Sequence, residues 1–230
     1  MSYYLGLSYL SNSLGDSPAE GRAGDAKHDR QKLLSAEARR ILSKFEGRPL
    51  TDNDIAREGQ GKPYFPGSAA DFNISHSGFL AAVALVQGAH LRTGCDVELL
   101  RPRIKTEAIA RDYFSSSESE YVFSDGNFIE KRFYEIWTLK ECFIKLRGLS
   151  VFDMAGIPSF IHDGEFALDT GSASALSFCL YELHTANECY ILATAIEGAE
   201  EKPEIHWFSD TNMTYNAYRA IYNTGFHVYS

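Results

Sequence analysis

The sequence lacks any apolar run long enough to cross a membrane and any excess of basic residues. No stretch approaches the roughly 20 apolar residues that a membrane-spanning helix needs. The first nine residues resemble a strand and lack the basic segment of a secretory signal, so we expect a cytoplasmic protein. The net charge is −9, and no basic stripe of the kind that binds nucleic acid is present, so we expect no nucleic-acid or membrane partner.

Cysteine is also scarce, with four residues in a chain of 230. Cys95, Cys142, Cys179 and Cys189 form no C-x-x-C pair, and all four lie in segments with apolar patterning. This usage supports neither a disulfide framework nor a zinc motif. We therefore predict four buried free thiols, with Cys95 turned into the core.

Hydrophobic periodicity predicts an α+β fold. A boundary near Arg101 divides the chain into an N-terminal half, residues 1–101, and a C-terminal half, residues 102–230, each with helices and antiparallel strands. The predicted helices cover about 28–45, 105–112, 116–123 and 128–146. The predicted strands cover about 3–9, 71–76, 80–86, 93–98, 157–161, 165–168, 176–183, 189–196 and 204–208; residues 11–26 read as a polar loop, and the tail after 208 is unassigned.

Two short sequence motifs contain acidic and basic residues at regular spacing. In Gly94-Cys95-Asp96-Val97-Glu98 the alternation predicts a strand, with Asp96 and Glu98 on one face about 7 Å apart. In the helix predicted over 128–146, Glu141 and Lys145 lie one turn apart. A helix laid across the strand would gather three carboxylates and an ammonium, which suits Mg²⁺ and a phosphate. Taken singly, such residues are more often a solvated strand edge and an ordinary helix ion pair.

A third phrase precedes them. Gly61-Lys62-Pro63-Tyr64 reads as a turn, and Phe72-Asn73-Ile74-Ser75-His76-Ser77-Gly78 ends a strand with small polar groups. Hydroxyls and backbone N–H groups that converge at a strand end suit a phosphate. The alternative for His76 is a hydrogen-bonded core histidine.

The ordered set G-K-P, F-N-I-S-H-S-G, G-x-D-V-E and W-T-x-K-E-x-x-x-K-x-x-G-L resembles the 4′-phosphopantetheinyl transferases, specifically the broad-specificity type that activates surfactin synthetase. The resemblance runs from about Gly61 to Ser150. It implies a pseudo-dimer of two similar α+β halves with the active site between them. It also implies Mg²⁺-dependent transfer of the phosphopantetheine arm of coenzyme A to a serine of a carrier protein, with release of adenosine 3′,5′-bisphosphate.

The resemblance also implies roles for individual residues. Asp96, Glu98 and Glu141 would hold Mg²⁺, with Glu141 also counted among the catalytic groups, and Lys145 would stabilise the pyrophosphate. Glu118 falls where the family carries an acid that serves as general base or as a water-mediated metal contact. Its sequence context reads equally well as a helix capping box with Ser115.

Coenzyme A contacts follow in the same way. The family's contacts place Ser75 and His76 on coenzyme A phosphates, and the turn of Lys62 and Pro63 against the adenosine. Lys27, Arg30 and Lys32 are candidates for the 3′-phosphate, although a basic stretch that opens a helix is usually solvated. Lys140 would face phosphate or the carrier.

A monomer is expected, and its partner would be an acyl or peptidyl carrier protein of fatty-acid, polyketide or non-ribosomal peptide synthesis. An acidic carrier would dock on a basic cluster, which has a solvated rim as its alternative: Arg101, Arg103, Lys105, Arg111, Lys140 and Arg147. Two rival functions stay open: a non-catalytic module that binds coenzyme A or a carrier, and a Mg²⁺-dependent phosphodiesterase that uses water.

Overall fold

The computed structural model describes residues 2–10, 23–58, 61–102, 105–168, 175–199, 204–209 and 213–222. For residues 23–26, 58, 215–220 and 222 it describes the backbone. Two predictions fall outside these ranges, namely Arg103 of the docking cluster and the part of the polar loop over 11–22. None of the described helices combines the length and the apolar character that crossing a bilayer requires.

The described chain contains twelve strands and four α-helices in the order that the hydrophobic periodicity predicts for most of its length. The helices are α1 (Ala23–Glu46), α2 (Thr106–Tyr113), α3 (Ser116–Phe123) and α4 (Ile129–Arg147). The strands are β1 (Ser2–Tyr9), β2 (Ala56–Glu58), β3 (Lys62–Tyr64), β4 (Ala70–Ser77), β5 (Leu80–Gln87), β6 (Arg92–Leu99), β7 (Ile161–His162), β8 (Glu165–Phe166), β9 (Leu176–His184), β10 (Cys189–Glu197), β11 (Glu204–Ser209) and β12 (Thr214–Tyr222). Two 3₁₀ turns cover Asp52–Asp54 and Val151–Gly156.

Two four-stranded sheets organise the fold, and the predicted α+β class is confirmed. Their strand orders are β11-β1-β5-β4 and β12-β9-β10-β6. All neighbours are antiparallel except β1 and β11, which are parallel. Each sheet contains one strand from the other side of residue 101, because β6 lies in the second sheet and β11 in the first. The division into two halves stays a prediction.

The sheets pack face to face, with a helix on each outer surface. Tyr3, Leu5 and Leu7 of β1 share one buried cluster with Val97 of β6 and Leu192 of β10. Helix α1 covers the opposite face of the first sheet, where alternate side chains of the same strands meet its apolar stripe. Helix α4 covers β6 and β10 in the same manner. The order of layers is therefore helix, sheet, sheet, helix.

Strands β4 and β6 lie side by side at the edge where the two sheets meet. Side chains of β4 accept hydrogen bonds from backbone amides of β6: Cys95 N to Asn73 Oδ1 (3.4 Å), Val97 N to Ser75 Oγ (3.2 Å) and Leu99 N to Ser77 Oγ (3.0 Å). The polar residues at every second position of β4 thus satisfy amides that would otherwise be buried without partners. These hydrogen bonds hold the segment 72–78 of the sequence analysis against the acidic segment 94–98.

Several local predictions were wrong or incomplete. Of the strand predicted over 157–161, only Ile161 lies in a strand, the two-residue β7, because residues 157–160 are irregular. They follow the 3₁₀ turn Val151–Gly156, which Ser150 caps by accepting a hydrogen bond from Phe152 N. The short hairpin of β2 and β3 and the last strand β12 were not predicted. The four cysteines are free, as expected, and Cys95 and Cys142 are buried, whereas Cys179 and Cys189 are only partly buried.

Candidate active site

A cavity of about 700 Å³ opens where β4, β6 and α4 meet the β2–β3 hairpin and α1. It brings together most of the residues that the sequence predicted for the site: Lys62, Pro63, Ser75, His76, Asp96, Glu98, Glu141 and Lys145. Two predicted residues, Glu118 and Arg30, are not among the described residues that line it.

The alternation of β6 places its acidic side chains in the cavity. Cys95 and Val97 point into the core between the sheets, so Asp96 and Glu98 face the other way. Asp96 Oδ1 accepts hydrogen bonds from Ser75 Oγ (2.8 Å) and from Lys145 Nζ (2.6 Å), and Ser77 Oγ donates to Glu98 Oε2 (2.9 Å). The β4 serines therefore orient both carboxylates.

Helix α4 reaches this face of β6 because Gly94 has no side chain. A Cβ at Gly94 would lie 2.5 Å from the carbonyl oxygen of Cys142 and 2.9 Å from Leu146 Cβ. Gly94 shares its face with Asp96, so the close approach also carries Glu141 and Lys145 of α4 to the acidic side chains. The glycine in the sequence phrase is thus a packing requirement of the site.

Lys145 is positively charged beside these carboxylates. Burial is the largest single effect and opposes that charge, but the Asp96 carboxylate at 2.6 Å, together with Cys95 and Glu141, outweighs it and raises the pKa of Lys145 above its ordinary value. Lys145 Nζ also lies 2.9 Å from Ser75 Oγ. The ammonium is therefore held at the junction of β4, β6 and α4.

The carboxylates fit a divalent cation in one specific respect. Asp96 Oδ2 is buried and has no hydrogen-bond partner, although a buried carboxylate oxygen ordinarily needs one. The ligand oxygens of Asp96, Glu98 and Glu141 are not gathered within 4.8 Å of one another. Lys145 Nζ instead supplies positive charge at Asp96. A cation bound by Asp96 Oδ2 would leave that ion pair on Oδ1 intact.

His76 lies on the wall of the cavity with its ring exposed to solvent. Partial desolvation by the surrounding wall lowers the pKa of His76 below 6.5, and the nearby Lys145 ammonium acts in the same direction. The imidazole is therefore mostly neutral at pH 7. The exposed ring contradicts the core-histidine alternative.

The comparisons with known proteins agree with this geometry. Residues 92–195, from β6 to β10, match the model of the 4′-phosphopantetheinyl transferase superfamily. The chain is 30% identical over 187 residues to 4′-phosphopantetheinyl transferase psf-1 of Bacillus pumilus, which covers 77% of this chain and 76% of that protein. The chain belongs to the 4′-phosphopantetheinyl transferase superfamily.

Other members of the superfamily are similar over shorter regions. Sfp of Bacillus subtilis is 32% identical over 126 residues, 53% of this chain and 54% of Sfp. AcpT of Escherichia coli O157:H7 is 36% identical over 107 residues, 45% of this chain and 53% of AcpT. The chain thus spans about half the length of the AcpT relatives that it matches.

In this superfamily member Glu118 lies in the protein interior. Its carboxylate accepts hydrogen bonds from Ser115 N (2.8 Å) and Phe160 N (2.9 Å) and pairs with Lys140 Nζ at 3.1 Å. Ser115 Oγ in turn accepts from Glu118 N, which completes the capping box of α3. The location favours the capping interpretation over a role as general base.

Lys140 was interpreted incorrectly from the sequence. Only 1% of its side chain is exposed, so it can neither meet a carrier nor face a phosphate in the cavity. Its neighbour Glu141 lies on the cavity side of the same helix turn. Consecutive residues of a helix are rotated by 100°, so Lys140 and Glu141 lie on different faces of α4. The apolar surroundings of Lys140 come from other elements, which the local sequence pattern does not reveal.

The Lys62 ammonium points away from open solvent. Lys62 Nζ donates to Asp71 Oδ2 (2.6 Å), Thr93 O (3.2 Å) and Leu146 O (3.4 Å). Desolvation lowers the pKa of Lys62, and the Asp71 carboxylate offsets part of that effect. Lys62 therefore ties β3 to β4, β6 and α4, and its contact with coenzyme A stays a prediction.

The remaining basic residues are arranged differently from the expectation. Lys27 and Lys32 are exposed, and the Arg30 guanidinium lies 4.8 Å from the centroid of the Phe79 ring. Further along α1, Arg39 lines the cavity, as does Arg57 of β2. The sequence analysis identified neither arginine. For Arg39 there was one signal, because Ser35 and Arg39 stand one helical turn apart and therefore line the cavity from the same face of α1.

Trp137 contributes both to the core and to the cavity. It packs against the core cluster and stacks on Phe133 with ring centroids 5.9 Å apart, yet it also lines the cavity. Trp137 precedes Glu141 by one turn of α4, so the same helical face presents both to the site.

Proposed function

We propose that this protein is a broad-specificity 4′-phosphopantetheinyl transferase, which moves the phosphopantetheine arm of coenzyme A to a serine hydroxyl of an apo carrier protein. One observation carries the proposal: Asp96, Glu98, Glu141 and Lys145, from two elements far apart in sequence, line one cavity. Phosphoryl transfer needs positioning and neutralisation of the phosphate charge, and these groups supply both.

We propose that Asp96, Glu98 and Glu141 hold Mg²⁺ in this cavity. Mg²⁺ takes oxygen ligands and retains water and substrate phosphate, so a few carboxylates suffice. The buried, unpartnered Asp96 Oδ2 supports the assignment because a buried carboxylate oxygen is ordinarily satisfied by a donor or a cation. When bound, the ion neutralises charge on the non-bridging oxygens of the pyrophosphate.

Coenzyme A brings a pyrophosphate and a 3′-phosphate, and the cavity offers two groups of donors. We propose that Lys145, Ser75 and His76 contact the pyrophosphate, close to the carboxylates. Arg39 and Arg57, which line the cavity from α1 and β2, take the 3′-phosphate in place of Arg30. Lys62 and Pro63 line the cavity from the β2–β3 hairpin and contact the adenosine.

Lys145 and Glu141 are the proposed catalytic residues. The positive charge on Lys145 stabilises the departing bisphosphate, because a charged donor held in place requires no reorganisation during the reaction. We assign the acceptance of the serine proton to Glu141, which lines the cavity, instead of Glu118, whose carboxylate is engaged by two backbone amides and Lys140.

The architecture and setting complete the proposal. We propose that the two sheet-and-helix layers correspond to the two similar halves of a pseudo-dimer, residues 1–101 and 102–230, which exchange strands β6 and β11. We propose a monomer in the cytoplasm, where four free cysteines are compatible with a reducing environment.

Intact-mass spectrometry of an apo carrier protein tests the function. The carrier is incubated with the protein, coenzyme A and Mg²⁺, and the expected result is a mass gain of one phosphopantetheine arm that EDTA abolishes. Glu141→Gln should abolish the gain, and Glu130→Gln, an exposed carboxylate on the same helix, should not.

The alternative functions give different products. Free phosphopantetheine released without a carrier would identify a phosphodiesterase. Coenzyme A binding without any mass gain, for fatty-acid, polyketide and peptide carriers alike, would identify a binding module. Either result contradicts the transferase proposal.

A further inference from the structure

A second set of metal-binding side chains lies outside the cavity, at the hairpin that joins β9 to β10. Glu182 and His184 stand at the end of β9, and Cys189 begins β10. Cys189 pairs directly with His184 across the hairpin, and Glu182 is two residues before His184. The period of two therefore places all three side chains on one face of the sheet.

The separations of their donor atoms match those of a tetrahedral metal site. His184 Nε2 lies 3.4 Å from Glu182 Oε1, and Cys189 Sγ lies 3.6 Å from the same oxygen. Zinc bonds to nitrogen, oxygen and sulfur at tetrahedral angles give edges of about 3.4 Å for nitrogen to oxygen and about 3.6 Å for sulfur to oxygen. All three donor atoms lie within 4.8 Å of one another.

Neighbouring contacts hold the ligands in this arrangement. Lys131 Nζ donates to Glu182 Oε2 at 2.6 Å, so Oε1, which lies beside His184 Nε2 and Cys189 Sγ, is the oxygen placed to bind the metal. Such an outer partner orients a ligating carboxylate. The hairpin is closed by the hydrogen bond from Thr185 N to Glu188 O (2.9 Å). His184 is exposed, so solvent reaches the position where a fourth ligand would bind.

The sequence did not predict this site because its spacing, E-x-H-x₄-C, matches no common zinc motif. Two ligands come from one strand and the third arrives only through the hairpin register. The site is also separate from the cavity, since none of the three residues lines it. Ile191 pairs with Glu98 on one side and Glu182 on the other, so two strand spacings, roughly 10 Å, separate the backbones of the two carboxylates.

We propose that Glu182, His184 and Cys189 form a second metal site for Zn²⁺ or a similar transition metal, distinct from the carboxylate cluster. Imidazole and thiolate are ligands that zinc accepts and Mg²⁺ avoids. Three protein ligands leave the fourth tetrahedral position to water. On binding, the Cys189 thiol becomes a thiolate ligand and its proton passes to the buffer.

Cobalt binding tests the proposal with a readout independent of transfer activity. Co²⁺ is titrated into the full chain under a non-thiol reductant, with excess Mg²⁺ present to occupy the carboxylate cluster. The expected result is one Co²⁺ per chain with a thiolate-to-cobalt charge-transfer absorption. Competition with a chromophoric chelator then gives the Zn²⁺ affinity.

Matched variants identify the ligands. Cys189→Ser should remove the charge-transfer absorption, and both Cys189→Ser and His184→Gln should weaken Zn²⁺ binding on the order of 100-fold. Cys179→Ser, a partly buried cysteine on the same sheet, should retain the absorption and the affinity. Circular dichroism checks that each variant folds. Equal Zn²⁺ affinity of the wild type and Cys189→Ser, or cobalt binding without a thiolate absorption, would overturn the proposal.

Discussion

Lys140 and Glu118 form an ion pair of 3.1 Å in the interior, with 1% and 0% of their side chains exposed. The pair joins α4 to α3, and through Phe160 N it also holds the segment before β7. Removing the lysine would leave a buried carboxylate without its cation. Such uncompensated charges cost far more than the intact pair contributes.

We expect Lys140→Met to lower the free energy of unfolding by about 3–5 kcal/mol. Lys131→Met on the same helix is the matched control, because its partner Glu182 is only partly buried and the loss should be about 1 kcal/mol or less. Urea denaturation measures both. Equal losses for the two variants would show that burial does not determine how much an ion pair contributes to the free energy of unfolding.

The variant Glu118→Gln distinguishes a structural role of Glu118 from a role as general base. The amide oxygen can replace one acceptor, but the charge opposite Lys140 is lost, so we expect reduced stability with transfer retained in the fraction that is folded. Activity per folded molecule is measured below the unfolding transition. A stable Glu118→Gln protein without transfer activity would restore the general-base interpretation.

Gly94→Ala should harm the active site through packing. The new methyl group would lie 2.5 Å from the Cys142 carbonyl oxygen, so α4 must move away from β6. We expect a loss of stability of about 1–3 kcal/mol and a larger relative loss of transfer activity. Gly126→Ala, where no atom lies within 4 Å, is the control. Unchanged kinetics in Gly94→Ala would contradict the close approach.

His76 should titrate below its ordinary value. Desolvation and Lys145 lower the pKa of His76, so the folded protein releases this proton at a lower pH than the unfolded chain. The associated stability is present above pH 6.5 and is lost as the pH falls through the folded pKa. Nuclear magnetic resonance titration should show this pKa rise on addition of coenzyme A, because a phosphate favours the imidazolium. An unchanged pKa in the complex would exclude a phosphate contact.

Lys145→Gln should lower kcat for transfer by about 10²–10³-fold, the range for losing one held charge-stabilising donor. Coenzyme A binding should weaken less than kcat falls, since the charge develops during the reaction. Arg132→Gln on the same helix, outside the cavity, should retain activity. A rise in KM for coenzyme A with unchanged kcat would make Lys145 a binding residue only.

The basic surface proposed for carrier docking is smaller than the sequence indicated. Arg101, Lys105 and Arg111 are exposed, whereas Lys140 is buried and Arg147 pairs with Glu197 at 2.7 Å. Arg111→Glu should raise KM for an acidic carrier and leave KM for coenzyme A unchanged, because rim charges steer association. Lys27→Glu, an exposed lysine on α1, is the control. An equal KM for the carrier in both variants would remove Arg111 from the docking surface.

Local patterns predicted the elements well where each has one apolar face. Helix α3 has the predicted bounds, β1 begins one residue earlier than predicted, and β4 and β6 are one residue longer than predicted at each end. Among the elements that were missed, β2 and β3 are three-residue strands that pair with each other and are too short to show a periodic pattern, whereas β12 depends on its pairing with β9. The trio proposed to bind a metal at the β9–β10 hairpin was also missed, because its spacing acquires meaning only through strand register.

The sequence by itself determined which side chains share a face: Asp96 with Glu98 on a strand, and Glu141 with Lys145 on a helix. Backbone periods of 2 and 3.6 residues impose that relation regardless of the surroundings. Only the tertiary structure decided what each face meets. It buried Lys140 against Glu118, turned Lys62 toward Asp71 and brought Arg39 to the cavity, because burial and pairing depend on elements that pack together from distant parts of the chain.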